Sequence, residues 1–434
     1  MAEWTGAIDA SMYDIFAQIF RTPDLRKKIL FIVALLVVYR LVANIPLPGV
    51  DVFQLKRLFE DNALLGLLNI FSGGGLSNIS VVLLGVAPYI TASIIMQLMQ
   101  TIFPALEKLY KEEGEQGRQK FNMWTRWLTV PLAALQSFSM ISLLRSQNIL
   151  TDITPFTIVV IILSATAGTV FLMWLGELIT EKGLGNGVSM LIFAGIVAAL
   201  PTGASRLLAT WDPSQFFTYL VFLALGLITV AGVIFINEGQ RTIPIAYAKR
   251  VRGSSVYGGS ATHLPLRVNQ AGVIPIIFAV SLILIPTMLA NFFVTSPNAR
   301  IADIAISVAT FLQNQWVYGI AYFVLVVLFT YFYTAVVFDP VKISENLQKQ
   351  GGYVPGIRPG MSTAEYLHHI ITRITFTGAL FLGVIAVLPI AVQGMTGIQA
   401  LSIGGVSILI VVSVVLELVK HIQSQLMMRS YEGL

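Results

Sequence analysis

An all-α protein threaded repeatedly through a membrane is the fold class this sequence predicts, on three observations. The 434 residues are 56% hydrophobic and only 11% charged, with a mean hydropathy of +0.79, whereas soluble domains run near ~25% charged. The apolar residues gather in runs nearly free of Asp, Glu, Lys and Arg, most of them close to the ~20 residues a helix needs to cross a hydrocarbon core of ~30 Å. The remaining Lys and Arg concentrate in alternate connections between those runs. So few charges cannot cover an ordinary cytosolic enzyme, and so much hydrophobicity excludes a disordered chain. The chain has no Cys, which excludes disulfide stapling, thiolate metal sites and thiol nucleophiles.

The first run, residues 29–45, carries Arg40 near its end and continues into Ile45-Pro46-Leu47-Pro48-Gly49. No small-residue cleavage site follows, so it reads as a span rather than a signal peptide. Helices are then predicted over 81–104, 125–145, 155–178, 184–206 and 216–238. The runs 268–298 and 304–338 exceed one span and predict helices over 271–293 and 316–338. The run 374–416 is too long for one span at ~1.5 Å per residue. Gln393-Gly394-Met395-Thr396-Gly397 divides it, giving 371–392 and 401–420, ten transmembrane helices in all.

Orientation follows from positive charge. All but six of the 27 Lys and Arg fall on one side, the exceptions being Arg40, Lys56, Arg57, Arg145, Arg206 and Arg300. Cytoplasmic connections carry such an excess, so both termini are cytoplasmic, and an even number of spans agrees. Ten divides into five and five, and halves with an odd number of helices insert in opposite senses. The count alone therefore predicts inverted pseudo-symmetry between residues 29–206 and residues 207–434, behind a cytoplasmic segment of residues 1–28.

Three segments do not behave like ordinary loops. Residues 63–70 are apolar but too short to span, and Ser72-Gly73-Gly74-Gly75 breaks them from the second helix. They either fold back into the protein as a re-entrant segment or lie on the outer surface as an amphipathic helix. The 6–7 connection, about residues 239–270, is basic, with Tyr247, Tyr257 and the turn Gly258-Gly259. It reads as a hairpin or as a paired helical extension. The 8–9 connection, about residues 339–370, contains Gly351-Gly352-Tyr353-Val354-Pro355-Gly356-Ile357-Arg358-Pro359-Gly360. Its Gly and Pro residues fix a rigid turn with Arg358 at the tip. Cationic cytoplasmic loops also set topology and attract anionic lipid. That role covers most of these charges, but it explains less well an Arg inside a preorganised turn, which reads as a docking contact.

Catalytic chemistry finds no foothold. There is no G-x-x-x-x-G-K-[ST], and Gly183-Leu184-Gly185-Asn186-Gly187 is a helix-to-helix turn without a preceding strand. His263, His368, His369 and His421 make no i, i+4 metal pair. No paired Asp or Ser/His sits at membrane depth. The helix middles also lack the ionisable groups that a transporter coupled to H⁺ or Na⁺ usually places there. Thr91, Gln97, Gln136, Ser164, Thr166, Asn269 and Ser407 remain. They either join helices by hydrogen bonds or form a polar seam that can open.

Phe71-Ser72-Gly73-Gly74-Gly75 followed by Leu84-Gly85-Val86-Ala87-Pro88-Tyr89-Ile90-Thr91-Ala92-Ser93-Ile94-Ile95 resembles the second transmembrane segment of bacterial SecY, the channel-subunit family of the Sec protein translocase. Further blocks match in order: Trp174-Leu175-Gly176-Glu177, Ile179-Thr180-Glu181, the Gly183 to Gly187 turn, Tyr247-Ala248-Lys249-Arg250, Thr262-His263-Leu264-Pro265-Leu266, Ala271-Gly272-Val273-Ile274-Pro275, Pro355-Gly356-Ile357-Arg358-Pro359-Gly360 and Arg429-Ser430-Tyr431-Glu432. The likeness covers nearly the whole chain.

The resemblance implies an hourglass pore between the two halves. Its waist would be closed by Val86, Ile90, Val188, Ile192, Ile277, Leu282 and Ile410. The family tends to isoleucine there, so Val86, Val188 and Leu282 depart within the aliphatic class. Residues 61–76 become a plug beneath the ring, with Leu64, Leu65, Leu67, Leu68, Ile70, Phe71, Gly73 and Gly74. A lateral gate between helices 2–3 and 7–8 would have Thr91, Gln136 and Asn269 as polar contacts. Lys249, Arg250, Arg252 and Arg358 would dock the ribosome or the SecA motor ATPase.

The resemblance further implies SecE and SecG as partner subunits, signal peptides and nascent polypeptides as cargo, and surrounding membrane lipid. It implies no direct DNA binding, no cofactor, and a bacterial plasma (inner) membrane location. The function implied is a protein-conducting channel that passes unfolded secretory chains and releases hydrophobic segments sideways into lipid, not an enzyme. The competing reading is an inverted-repeat secondary solute transporter, against which the empty midplane counts.

Overall fold

The computed structural model describes residues 22–47, 80–111, 113–146, 154–183, 185–209, 213, 216–247, 250–252, 255–257, 261–294, 298–396 and 404–432. Each of the ten runs read as a span contains a helix. By length and composition, five stretches among the described residues suffice to cross a membrane: Pro155–Lys182, Tyr219–Glu238, Gln315–Lys349, Met361–Val392 and Ser407–Leu426. The described residues fall into two compact units. The first comprises Met1–Pro213, Ile285–Thr310 and Ile410–Leu434, and the second Ser214–Leu284 and Phe311–Leu409.

In the first unit, α1 (Pro23–Val42) starts on a proline, whose missing N–H costs nothing in a first turn. Beyond it, Ile45 accepts from the Val81 amide at 3.0 Å, and Pro46 bridges Ser80. These bonds hold residues 81–86 as turns, with Gly85 at φ 57°. The second helix, α2 (Ala87–Ile102), therefore begins at Ala87 rather than at residue 81. It ends at Phe103, which the following Pro104 drives to extended backbone at φ −104° and ψ 110°. The chain bends there by 110° into α3 (Pro104–Lys111).

α4 (Gly114–Ser146) runs 33 residues and starts well before residue 125, its first turns polar. α5 (Pro155–Lys182) is N-capped by Thr154, whose hydroxyl accepts from the Thr157 amide at 3.3 Å. Its Gly168 lies against the 81–86 turn so closely that a Cβ would collide with the Val81 carbonyl oxygen.

The Gly-rich segment after α5 is a helix-to-helix turn, as expected. Asn186 Oδ1 accepts from the Val188 and Ser189 amides at 3.0 and 3.2 Å, capping α6 (Gly187–Ala209). The Thr180 hydroxyl accepts from the Gly187 amide at 2.9 Å and donates to the Gly176 carbonyl at 2.8 Å.

In the second unit, α7 (Phe216–Glu238) leads into β1 (Gln240–Tyr247). This strand pairs antiparallel with β4 (Ala261–Arg267), from Gln240 opposite Arg267 to Ala246 opposite Ala261. Farther out, β2 (Arg250–Arg252) pairs with β3 (Ser255–Tyr257). Of the two possibilities for the 6–7 connection, the hairpin is the one realised.

α8 (Ile274–Val294) follows, its residues from Ile285 on belonging to the first unit, as do residues 299–310 of α9 (Ala299–Gln313), a helix which the hydropathy pattern did not separate from its neighbour. Asn314 makes the separation, its Oδ1 accepting from the Trp316 amide at 3.0 Å to cap α10 (Gln315–Val337). α11 (Pro340–Lys349) is capped by Asp339. β5 (Gly352–Tyr353) then adds to the free side of β1, giving the order β4-β1-β5. α12 (Met361–Thr396) is 36 residues long. α13 (Gly404–Glu432) is the last described helix, and from Ile410 on it belongs to the first unit.

The pairing of β5 with β1 joins the two large basic connections. Beneath it lies a common core of Ile243, Leu266, Phe338, Val354, Leu367, Ile370 and Ile371.

Candidate functional site

The turn that carries Arg358 is held from below. Gly356 and Gly360 take φ values of 84° and 97°, the left-handed region that a side chain disfavours. The Ile357 amide donates to the Val354 carbonyl at 3.0 Å, and Val354 is in the core. Two hydroxyls complete the fixing. Thr363 Oγ1 on α12 donates to the Arg358 carbonyl at 2.9 Å. Ser344 Oγ on α11 donates to the Gly360 carbonyl at 2.6 Å. Both side chains are buried, so each holds its carbonyl where water has little access. Arg358 itself is exposed. The turn thus presents a fixed cation outward on a short, cross-braced segment.

Sequence reasoning found Arg358 from its Gly and Pro neighbours but missed Ser344 and Thr363, whose roles exist only once two helices meet the turn. Of the other docking candidates, the backbones of Arg250 and Arg252 lie on β2. Lys249 lies outside the described residues, as do Leu64, Leu65, Leu67, Leu68, Ile70, Phe71, Gly73 and Gly74 of the predicted plug.

The aliphatic candidates divide between the units. Val86, Ile90, Val188, Ile192 and Ile410 belong to the first, and Ile277 and Leu282 to the second. Val86 ends the turn before α2, and the Ile90 amide donates to its carbonyl at 3.0 Å, so the two side chains share one helical face. Val188 and Ile192 stand likewise on α6, where Val188 packs close to Gly176 of α5. Ile277 and Leu282 are on α8, and Ile410 is on α13. Ile277 and Ile410 are buried, while Leu282 is half-buried.

Of the three polar candidates, the structure brings two together. Gln136 Nε2 reaches the Thr91 hydroxyl at 3.5 Å, a long bond, and Thr91 in turn donates to the Ala87 carbonyl at 3.0 Å. Both side chains are buried, and Gln136 Oε1 has no partner among the described residues. Asn269 belongs to the other unit. Its Nδ2 donates to the Gly272 carbonyl at 3.0 Å and to Asn237 Oδ1 at 2.8 Å. A backbone carbonyl only accepts, so the amide orientation follows: Asn269 Oδ1 is left buried without a partner. Asn237, near the end of α7, was missed by sequence reasoning because a terminal Asn resembles any polar helix end.

Among the described residues no group of three or more His, Asp and Glu side chains could hold a metal ion.

Comparison with known proteins agrees with this architecture. The SecY family model matches residues 80–419. The protein translocase subunit SecY of Corynebacterium glutamicum is 46% identical over 439 residues, covering 96% of this chain and 98% of that one. Two solved structures share the fold over 90% of both chains. One is a protein-conducting channel, at a TM-score of 0.61 and 16% identity. The other is a SecY protein whose plug domain stabilises the closed state of the translocation channel and maintains a membrane seal, at a TM-score of 0.62 and 18% identity.

Proposed function

This chain belongs to the SecY family, and we infer from that membership that it is a protein-conducting channel of a multi-pass membrane translocase. Kinship along 96% of the chain to a translocase subunit carries the conclusion.

The chemistry suits the task. A translocating polypeptide presents every kind of side chain in turn, so a conduit that bound any of them tightly would stall. Aliphatic walls offer a polar peptide no hydrogen bonds, and a narrow apolar waist restrains ions by dewetting when empty. Val86, Ile90, Val188, Ile192, Ile277, Leu282 and Ile410 would form that waist, with residues 61–76 as the plug beneath it. A segment rich in Leu, Ile, Phe and Val gains roughly 0.3–0.6 kcal/mol per residue by moving into lipid. Over about ten residues this outweighs a gate closed by a few hydrogen bonds of ~0.6 kcal/mol each. Thr91, Gln136 and Asn269 would supply those bonds, so a signal sequence could open the side while a polar stretch could not.

The chain would work as two five-helix halves, residues 29–206 and 207–434, in a bacterial inner membrane with both termini cytoplasmic. SecE and SecG would be its companion subunits. It is not itself catalytic in this reading, so the driving force would come from the SecA motor or the ribosome docked on Lys249, Arg250, Arg252 and Arg358.

The test is crosslinking of a stalled secretory precursor to a single cysteine introduced at Ile90 or at Ile277. The chain has no native Cys, so each thiol is unique. Crosslinks at both positions are expected. A stalled precursor that crosslinks at neither would overturn the channel reading.

A further inference from the structure

We propose that α9 is an interfacial anchor, lying flat at the membrane surface on the side away from the basic connections, with one face in the acyl chains of that leaflet. The helix has three distinct faces. Ala305 and Ala309, four residues apart, are buried. Asp303, Ser307 and Thr310 form a polar face. Ile301, Ile304, Val308 and Phe311 form a third, apolar and exposed, with Ile304 at 66% and Phe311 at 63% exposure. The alanines let the helix sit close against protein, and the remaining surface divides into a polar and an apolar face, with Ile306, 48% exposed, the one large apolar side chain on the polar side. That division is what a helix at a water–lipid boundary requires.

The chain on either side fixes the depth. α9 has 15 residues, or ~22 Å at ~1.5 Å per residue, too short to cross a ~30 Å core. Its start follows the end of α8 at Val294, and its end precedes α10 by the single residue Asn314. Both ends are therefore tethered where predicted spans reach the membrane surface. Aromatic residues mark that level. Phe292 and Phe293 are exposed on the last turn of α8, and Trp316, 69% exposed, stands on the first turn of α10. In the chain, the exposed apolar face of α9 is thus flanked on both sides by exposed aromatic residues. Asn298 accepts from the Arg300 amide at 3.2 Å at its start, and Asn314 caps α10 just beyond its end, so the helix is not a frayed extension of either neighbour. The occupant is lipid rather than a protein partner, because the aromatic residues that flank the helix in the chain are of the kind that favours headgroup level.

The test uses the full-length chain, in its translocase complex, reconstituted in vesicles of phosphatidylethanolamine and phosphatidylglycerol. Single cysteines at Ile304 and Phe311, and at Ser307 and Thr310, would each carry a spin label. All four sites are exposed, so labelling leaves the packing intact. The expected result is a several-fold higher ratio of collisions with oxygen to collisions with a water-soluble nickel complex at 304 and 311 than at 307 and 310. Equal ratios on the two faces would place α9 in water and overturn the proposal. Labels at 304 and 311 shielded from both reagents would mean that protein covers the face, which also overturns it. Neither outcome bears on channel function, which the precursor crosslinks decide separately.

Discussion

Replacing Thr363 with Val tests whether the Arg358 turn is held in place for docking. The two side chains are nearly equal in shape, so α12 should be undisturbed, but the donor to the Arg358 carbonyl at 2.9 Å is lost. A hydrogen bond contributes about 1 kcal/mol net, and a carbonyl left without its partner costs more when buried. Thr363 is only 3% exposed, so water replaces the hydroxyl poorly, while the exposed tip of the turn keeps the penalty below its maximum. The loss is therefore between about 1 and 2 kcal/mol, confined to one turn. A partner that binds only the ordered turn would meet that cost on docking, which corresponds to a roughly 5- to 30-fold weaker association.

The assay is SecA binding and SecA-driven export of a precursor into inverted vesicles, alongside thermal unfolding of the variant. Thr363→Ser, which keeps the hydroxyl, should bind within about twofold of the parent, since the bond is retained. Parental binding by Thr363→Val, in a series where Arg358→Glu is impaired, would refute the idea that this bond positions the turn. Parental behaviour of both variants would refute the docking role itself.

Other outcomes follow from the same geometry. Arg358→Glu should leave the channel folded, because the side chain is exposed, yet cripple motor-driven export; normal export in vesicles would remove Arg358 from the docking surface. Exchanging Ile90 and Ile192 for Gly should make the resting channel leak ions, and unchanged single-channel conductance would remove both from the seal. Gly168→Ala should destabilise the protein by about 1–3 kcal/mol through overpacking, because the new Cβ would also lie 2.8 Å from the Val81 carbonyl carbon. A melting temperature equal to that of the parent would show that the turn at residues 81–86 yields freely.

Much of the helical frame is legible in the sequence because hydrocarbon imposes a local rule. Residues 216–238 were read as a helix from hydropathy, and α7 occupies the same residues. The misplaced boundaries have specific causes. α4 begins early because its first turns are polar, and a hydropathy reading sees only the part suited to lipid. α2 begins late because two long-range contacts, from Ile45 to Val81 and from Pro46 to Ser80, hold residues 81–86 as turns. α9 was hidden in one run because the runs were bounded by charged residues, and its break, Gln313-Asn314-Gln315, is polar but uncharged. At the Arg358 turn, the arginine could be singled out from neighbouring Gly and Pro, which act locally. Ser344 could not, since it acts from another helix 16 residues away, and Thr363, five residues from Arg358, could not because its bond depends on the angle at which α12 leaves the turn.

The sequence by itself determined that this is a multi-pass membrane protein and roughly where its apolar helices lie along the chain, and it sets the expectation that Lys and Arg mark one side of the membrane. Each of these depends on the free energy of a residue moving between water and lipid, a property summed along the chain. Only the tertiary structure decided that the 6–7 connection is a hairpin and that β5 pairs with β1. It also decided that Val354 and Leu266 share one core beneath Arg358, and that the amide of Asn269 is committed to Asn237 and Gly272. Those outcomes depend on which donors and acceptors the fold brings within about 3 Å, and the order of residues alone does not encode that distance.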